Sequence, residues 1–211
     1  MKKIIISDLD GTLTKIDVLD LLISQFNEYH KNIKRKDCEI GEIYLKQRID
    51  KLAGINVSDI EKTLNTNKET ILKNNYLQFI DYIIHNKLNL IIVSGNIEPV
   101  VKFFSKLFNT THCFFTRADI SEDGRFIEMK NNGINKNINI VSEYLKSKMI
   151  SWKDVIYIGN DTSDIPFWNS TANSILFGEY KEILKKHVAF TTNGDFLDLI
   201  TIVDSIIKRN E

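Results

Sequence analysis

The chain has only two cysteines in 211 residues, so no disulfide framework is to be expected, and Cys38 and Cys113 show no metal-ligand spacing. Reduced thiols in a cytoplasmic protein are the expectation. Net charge is missing too: Lys plus Arg and Asp plus Glu each number 28, which leaves no electrostatic footprint for nucleic acid or an anionic membrane. No apolar run approaches the ~20 residues of a membrane span. Lys2-Lys3 and three isoleucines before Asp8 do not make a signal peptide. There is no internal repeat, and His30, His85, His112 and His187 show no ligand spacing. What remains is ordinary for a soluble globular chain, 43% hydrophobic and 27% charged, long enough for one large domain or a core plus a small one.

Three short apolar runs stand out. Lys2 to Ser7, Leu88 to Val93 and Asp154 to Ile158 are too short for helices and rich in β-branched residues, so each reads as a buried strand. Each ends in small or oxygen-bearing residues: Asp8-Leu9-Asp10-Gly11-Thr12, Ser94-Gly95-Asn96, and Gly159-Asn160-Asp161-Thr162-Ser163-Asp164. In an open parallel sheet the ligand crevice lies at the carboxyl ends of the strands, so these endings would meet on one edge. Asp8 and Asp10 read alone are plain turn formers with Gly11. Burying both carboxylates there, however, requires a cation or hydrogen bonds to offset them.

Between the first two strands the pattern is helical, over Asp17 to Asn27, Glu39 to Ala53, a short helix opened by a Ser58/Glu61 capping box, and Asn67 to His85. This insert has no strand pattern and predicts a helical-bundle cap over 17–85, with the core at 1–16 and 86–211; packing of some of these helices on the sheet is the alternative. After Leu88, strand and helix alternate as in a doubly wound α/β sheet. Asp123-Gly124 marks a hairpin. Lys136 to Met149 predicts a helix with Ile138, Val141, Leu145 and Met149 inward, and Asp195 to Lys208 the closing helix.

Asp8-Leu9-Asp10-Gly11-Thr12, Ser94-Gly95, Lys136 and Gly159 to Asp164 follow the order of the four motifs of the haloacid dehalogenase superfamily. With the long helical insert, the chain resembles the phosphoserine phosphatase branch over nearly its whole length. The resemblance implies a doubly wound core and a magnesium-dependent phosphohydrolase that forms an aspartyl-phosphate. Asp8 would be the nucleophile and Asp10 the general acid–base group. Thr12, Ser94, Gly95 and Lys136 would hold phosphate. The Asp8 carboxylate, the Asp10 carbonyl and the residue at 160 would hold Mg²⁺, with Asp161 or Asp164 reaching it through water. Asn160 departs from the branch, which has Asp there, and costs the site one negative charge. Lys136 follows Asn135, a plausible N-cap, so its charge sits at the wrong end of a helix dipole unless an anion binds. A solvated lysine is the plainer reading.

Arg48 falls where the branch grips the carboxylate of phosphoserine, and Asp17 where it has a Glu near the substrate amine. A surface role for Arg48 and an N-cap role for Asp17 remain open. The expectation is a cytoplasmic phosphomonoesterase for a small phosphate, phosphoserine or a similar compound. The alternatives are a phosphatase for a sugar or salvage intermediate, or a catalytically weak relative that binds phosphorylated ligands. The sequence is silent on oligomeric state.

Overall fold

The computed structural model describes residues 4–26, 42–131, 133–179 and 181–209. Its centre is a six-stranded parallel sheet of β1 (Ile4–Ser7), β2 (Asn89–Ile97), β3 (His112–Thr116), β6 (Val155–Gly159), β7 (Asn173–Phe177) and β8 (Phe190–Thr192). The strand order is β3-β2-β1-β6-β7-β8, with β1 paired to β2 and β6. The chain thus winds outward from β1 in one direction, then returns to wind in the other, the doubly wound arrangement expected.

Alternation along the strands explains the two cores. Ile5 faces one side of the sheet with Leu90, Ile92, Ile156 and Phe177. Ile4 and Ile6 face the other with Val93, Tyr157 and Leu176. On the first face lie α5 (Tyr76–His85), α6 (Glu98–Leu107) and α9 (Phe196–Lys208), through Phe79, Phe104 and Phe196. On the second lie α7 (Ile138–Ser147) and the short α8 (Ile165–Trp168), through Val141, Leu145 and Trp168.

The remaining helices are α1 (Val18–Phe26), α2 (Glu42–Ile49), α3 (Val57–Thr66) and α4 (Lys68–Ile71). Residues 27–41, with Cys38, His30 and the expected start of the second helix, lie outside the described residues. The insert is not a free-standing bundle. Phe79 of α5 stacks on Phe196 of α9 at 4.8 Å, and α3 packs against α6. The hairpin of β4 (Ala118–Ile120) and β5 (Phe126–Met129) closes on residues 54–57. Gly54 N–H donates to Phe126 O and Val57 N–H to Gly124 O, at 2.8 and 2.9 Å.

Four local expectations are corrected. The helix foreseen over Asn67 to His85 breaks, because Leu72 is extended and Asn75 is left-handed at φ 62°. Its Nδ2 donates to both Asp195 oxygens, at 2.9 and 3.0 Å, and that tertiary contact fixes the break. The cap of α3 is Asn56, whose side chain accepts from Ser58 N–H, so Ser58 is not the N-cap. Asn137, not Asn135, caps α7, and Lys136 therefore precedes the helix. Met149 is 90% exposed because it takes the left-handed position (φ 56°) that ends α7, where Ile150 N–H returns to Leu145 O.

Because Phe79 is fully buried against α9, Phe79→Ala should destabilise the protein by about 3–5 kcal/mol in urea unfolding. A cost under about 1 kcal/mol would place α5 outside the core.

Candidate active site

The three strand endings do converge. Parallel pairing of β1 with β2 and β6 sets Ser7 beside Ile92 and Ile158, so Asp8, Ser94 and Asn160 follow on adjacent strands at the same edge. A cleft of about 990 Å³ opens there, lined among others by Asp8, Asp10, Asp17, Arg48, Gly95, Lys136, Asn160 and Asp161. Thr12, Ser94 and Asp164 are wholly buried and lie behind this wall.

Asp8 is 4% exposed, and its Oδ1 lies 2.8 Å from Lys136 Nζ. The same ammonium is 2.9 Å from Asp164 Oδ1. Asp164 also accepts from the Tyr157 hydroxyl at 2.8 Å and from the N–H groups of Asn160 and Asp161 at 2.9 and 3.0 Å. Four donors fill its two oxygens, which leaves no lone pair for a cation. Asp161 turns its Oδ1 to the N–H and hydroxyl of Thr162, capping the turn Thr162–Asp164. Gly159 permits this packing, since a Cβ there would stand 2.4 Å from the Asp164 carboxyl.

Asp10 is held differently. Its Oδ1 accepts from Val18 N–H, the first residue of α1, at 2.8 Å, so the positive end of that helix faces it. Asn96 Nδ2 reaches both oxygens at 3.2 Å, and the Ser94 hydroxyl donates to Oδ2 at 3.3 Å. The Ser94 hydroxyl thus faces Asp10. Asn96, 3% exposed, is a site residue that the sequence reading left without a role; its place directly after Ser94-Gly95 was the available signal. Tyr157, hidden in a strand reading VIYI, was missed with it.

Charge in this cluster does not balance, because one ammonium serves two carboxylates and a third lies nearby. Burial, opposed by Lys136 and aggravated by Asp164, pushes Asp8 up to about 8. Burial and the charge of Asp17 push Asp10 up to about 6, against the help of Val18 N–H, Asn96 and Arg48. Burial also works against the charge of Lys136, but Asp164 and Asp8 outweigh it and hold the ammonium above its ordinary value. A divalent cation fits such a deficit. Asn160 Oδ1, which accepts from the Thr12 hydroxyl at 3.1 Å, adds a neutral oxygen beside Asp8, whose Oδ2 is 3.4 Å from that hydroxyl. Among the described residues no group of three or more His, Cys, Asp or Glu side chains is arranged around a metal position. The oxygens brought together here are the Asp8 carboxylate and the Asn160 amide oxygen.

Arg48 is 9% exposed, and its Nη2 bridges Asp17 at 2.8 Å and Asp20 at 2.7 Å. Its Nε is buried with no acceptor among the described residues. Asp17 also accepts from Asp20 N–H in the first turn of α1. Arg48 is therefore neither free nor a plain surface residue.

The fold resembles that of a substrate-bound phosphoserine phosphatase complex at a TM-score of 0.74 and 17% identity, covering 95% of this chain and 98% of that one. A phosphoserine phosphohydrolase-like protein from Francisella tularensis subsp. tularensis SCHU S4 matches at 0.72 and 19%, covering 98% and 100%. A HAD family hydrolase from Salmonella enterica subsp. enterica serovar Typhi matches at 0.72 and 16%, covering 94% and 71%. No protein-family model and no curated protein matches the chain. At 16–19% identity these likenesses establish a shared fold, that of the phosphoserine phosphatases and HAD hydrolases.

The raised Asp8 has a stability consequence with a definite sign. Its contribution is fully present below about 3.8 and lost as pH rises to about 8, because the unfolded chain releases a proton that the folded one keeps. Asp8→Asn should then raise the melting temperature in EDTA, and by more at pH 8 than at pH 5. A gain that is flat across that range, measured by scanning calorimetry, would refute the charge imbalance.

Proposed function

We propose that the protein is a Mg²⁺-dependent phosphomonoester hydrolase that works through an aspartyl-phosphate on a small phosphorylated metabolite. The observation that carries this reading is the buried Asp8 carboxylate facing the cleft, 2.8 Å from Lys136, with a second carboxyl, Asp10, in the same cleft. The Asp8 oxygen attacks phosphorus, while Lys136 and the backbone at Gly95 hold the phosphoryl oxygens. As the ester P–O bond breaks, the Asp10 carboxyl gives its proton to the leaving oxygen. A water then attacks the phosphorylated Asp8, Asp10 takes a proton from that water, and the P–O bond to Asp8 breaks. Asn96, Val18 N–H and Ser94 keep the Asp10 carboxyl in one orientation for both transfers. Mg²⁺ held by the Asp8 carboxylate, the Asp10 carbonyl and the Asn160 amide oxygen would supply the positive charge that keeps Asp8 ionised beside a phosphate. Asp164 belongs to Lys136 in this scheme, as its positioning partner.

With p-nitrophenyl phosphate and Mg²⁺ the protein should turn over, EDTA should stop it, and Asp8→Asn should lower kcat by roughly 10³-fold or more. An Asp8→Asn enzyme that keeps a sizeable share of wild-type kcat would overturn the covalent route.

Phosphoserine or a similar compound is the substrate that the resemblance favours. A second reading, a phosphate ester without the amino-acid head, is favoured by the bridging of Arg48 to two carboxylates, since a guanidinium so neutralised attracts a third only weakly. Arg48→Ala separates the two. For a phosphoserine enzyme KM should rise by about 10- to 1,000-fold for phosphoserine and little for p-nitrophenyl phosphate. Equal changes would favour the second reading.

A further inference from the structure

The cleft holds a cation that the scheme above does not use. Lys73 lies in the extended stretch between α4 and α5, where Leu72 bridges Thr14 and Lys15 N–H donates to Ile71 O at 2.7 Å. These contacts tie it to the loop that carries the candidate nucleophile. The residue is 7% exposed and lines the cleft with Asp8 and Lys136. Two glycines at positive φ make room for it at the ends of β7 and β8. A Cβ on Gly178 would stand 2.7 Å from the Lys73 ammonium, and one on Gly194 3.3 Å.

Among the described residues this ammonium has no carboxylate within ion-pair distance and no hydrogen-bond acceptor; its neighbour is the Phe177 ring, 5.4 Å to the centroid. Burial lowers its pKa, Glu179 offsets part of that, and Lys15 adds like charge. The side chain is largely buried and its ammonium opens on the cleft, so an anion bound there would meet a positive charge that no carboxylate of the wall already neutralises. Asp17 and Asp20 occupy Arg48, and Asp8 and Asp164 occupy Lys136. Lys73 is left as the buried cation of this wall with no carboxylate partner among the described residues.

We propose that Lys73 is a specificity-determining residue that contacts a second anionic group of the phosphoester substrate, a carboxylate or a further phosphate. The proposal rests on the phosphatase reading. The reacting phosphate meets Asp8, at the end of β1, and Lys136, which reaches it from just before α7, while Lys73 stands at the ends of β7 and β8. A ligand that satisfies both ends of one cleft carries an anion at each.

The test uses matched pairs with Mg²⁺: 3-phosphoglycerate against glycerol 3-phosphate for a carboxylate, and fructose 1,6-bisphosphate against fructose 6-phosphate for a second phosphate. Wild type should favour the more anionic member of at least one pair in kcat/KM, and the pair that responds names the anion. Lys73→Met should cut that preference by about tenfold or more, and Lys73→Arg should retain most of it. Calorimetric binding of the same four compounds to Asp8→Asn, with and without Lys73→Met, separates this proposal from the one beneath it. Absence of turnover together with Lys73-dependent binding would sink the phosphatase reading and leave the anion contact standing. No preference within either pair, in turnover and in binding, or a Lys73→Met protein that folds and keeps the preference, overturns the proposal.

Discussion

One ammonium shared by two buried carboxylates organises this site. Lys136 enters from the residue before α7, Asp8 from the end of β1 and Asp164 from the turn after β6, so three separate elements depend on a single buried charge. The geometry is maintained from behind by Tyr157 and by two backbone N–H groups on Asp164. Because each carboxylate sees only part of a positive charge, the cluster is poised to take up a further cation. Removing the shared ammonium would leave both carboxylates uncompensated, whereas removing Asp8 leaves Lys136 and Asp164 as a balanced pair, so the cluster is better regarded as one unit than as separate residues.

Much of this was legible in the chain. Short β-branched runs ending in oxygen-bearing residues correctly announced parallel strands and the edge where their ends meet, and Asp8, Asp10, Gly95, Lys136 and Asn160 do line one cleft. What was illegible depended on tertiary contact. Asn74-Asn75 tolerates the left-handed turn locally, but the amphipathic spacing runs on through it, and the contact of the Asn75 amide with Asp195, far along the chain, holds the break. Arg48 has the right type and spacing to grip a substrate carboxylate, yet Asp17 and Asp20 reach it first across the α1–α2 pair. Asp164 looks like a metal ligand by position, and only the donors around it show that its oxygens are already taken. Motif position reports the edge of the sheet; it does not report which neighbours a side chain has spent its hydrogen bonds on.

The helical insert shows the same limit at a larger scale. Amphipathic spacing foretold helices between β1 and β2 but not what their apolar faces meet. α5 gives its face to α9 and the sheet, whereas the stretch after α2 is stitched to the β4–β5 hairpin by backbone hydrogen bonds. The part of the cleft wall formed by Tyr44, Leu45 and Arg48 of α2 is therefore backed by a hairpin that comes much later in the chain, so its position depends on two distant segments at once.

Gly11 carries a related lesson. At φ +74° it turns the loop that follows β1, and a Cβ there would lie 2.2 Å from the amide nitrogen of Asn160. The space a side chain would claim on one loop is already filled by the side chain of another. Residues 11 and 160 thus form a single locus for sequence drift: a change that enlarges the first requires the second to shrink or turn away. Any attempt to re-engineer the oxygen at position 160 inherits that coupling and begins with the glycine opposite it.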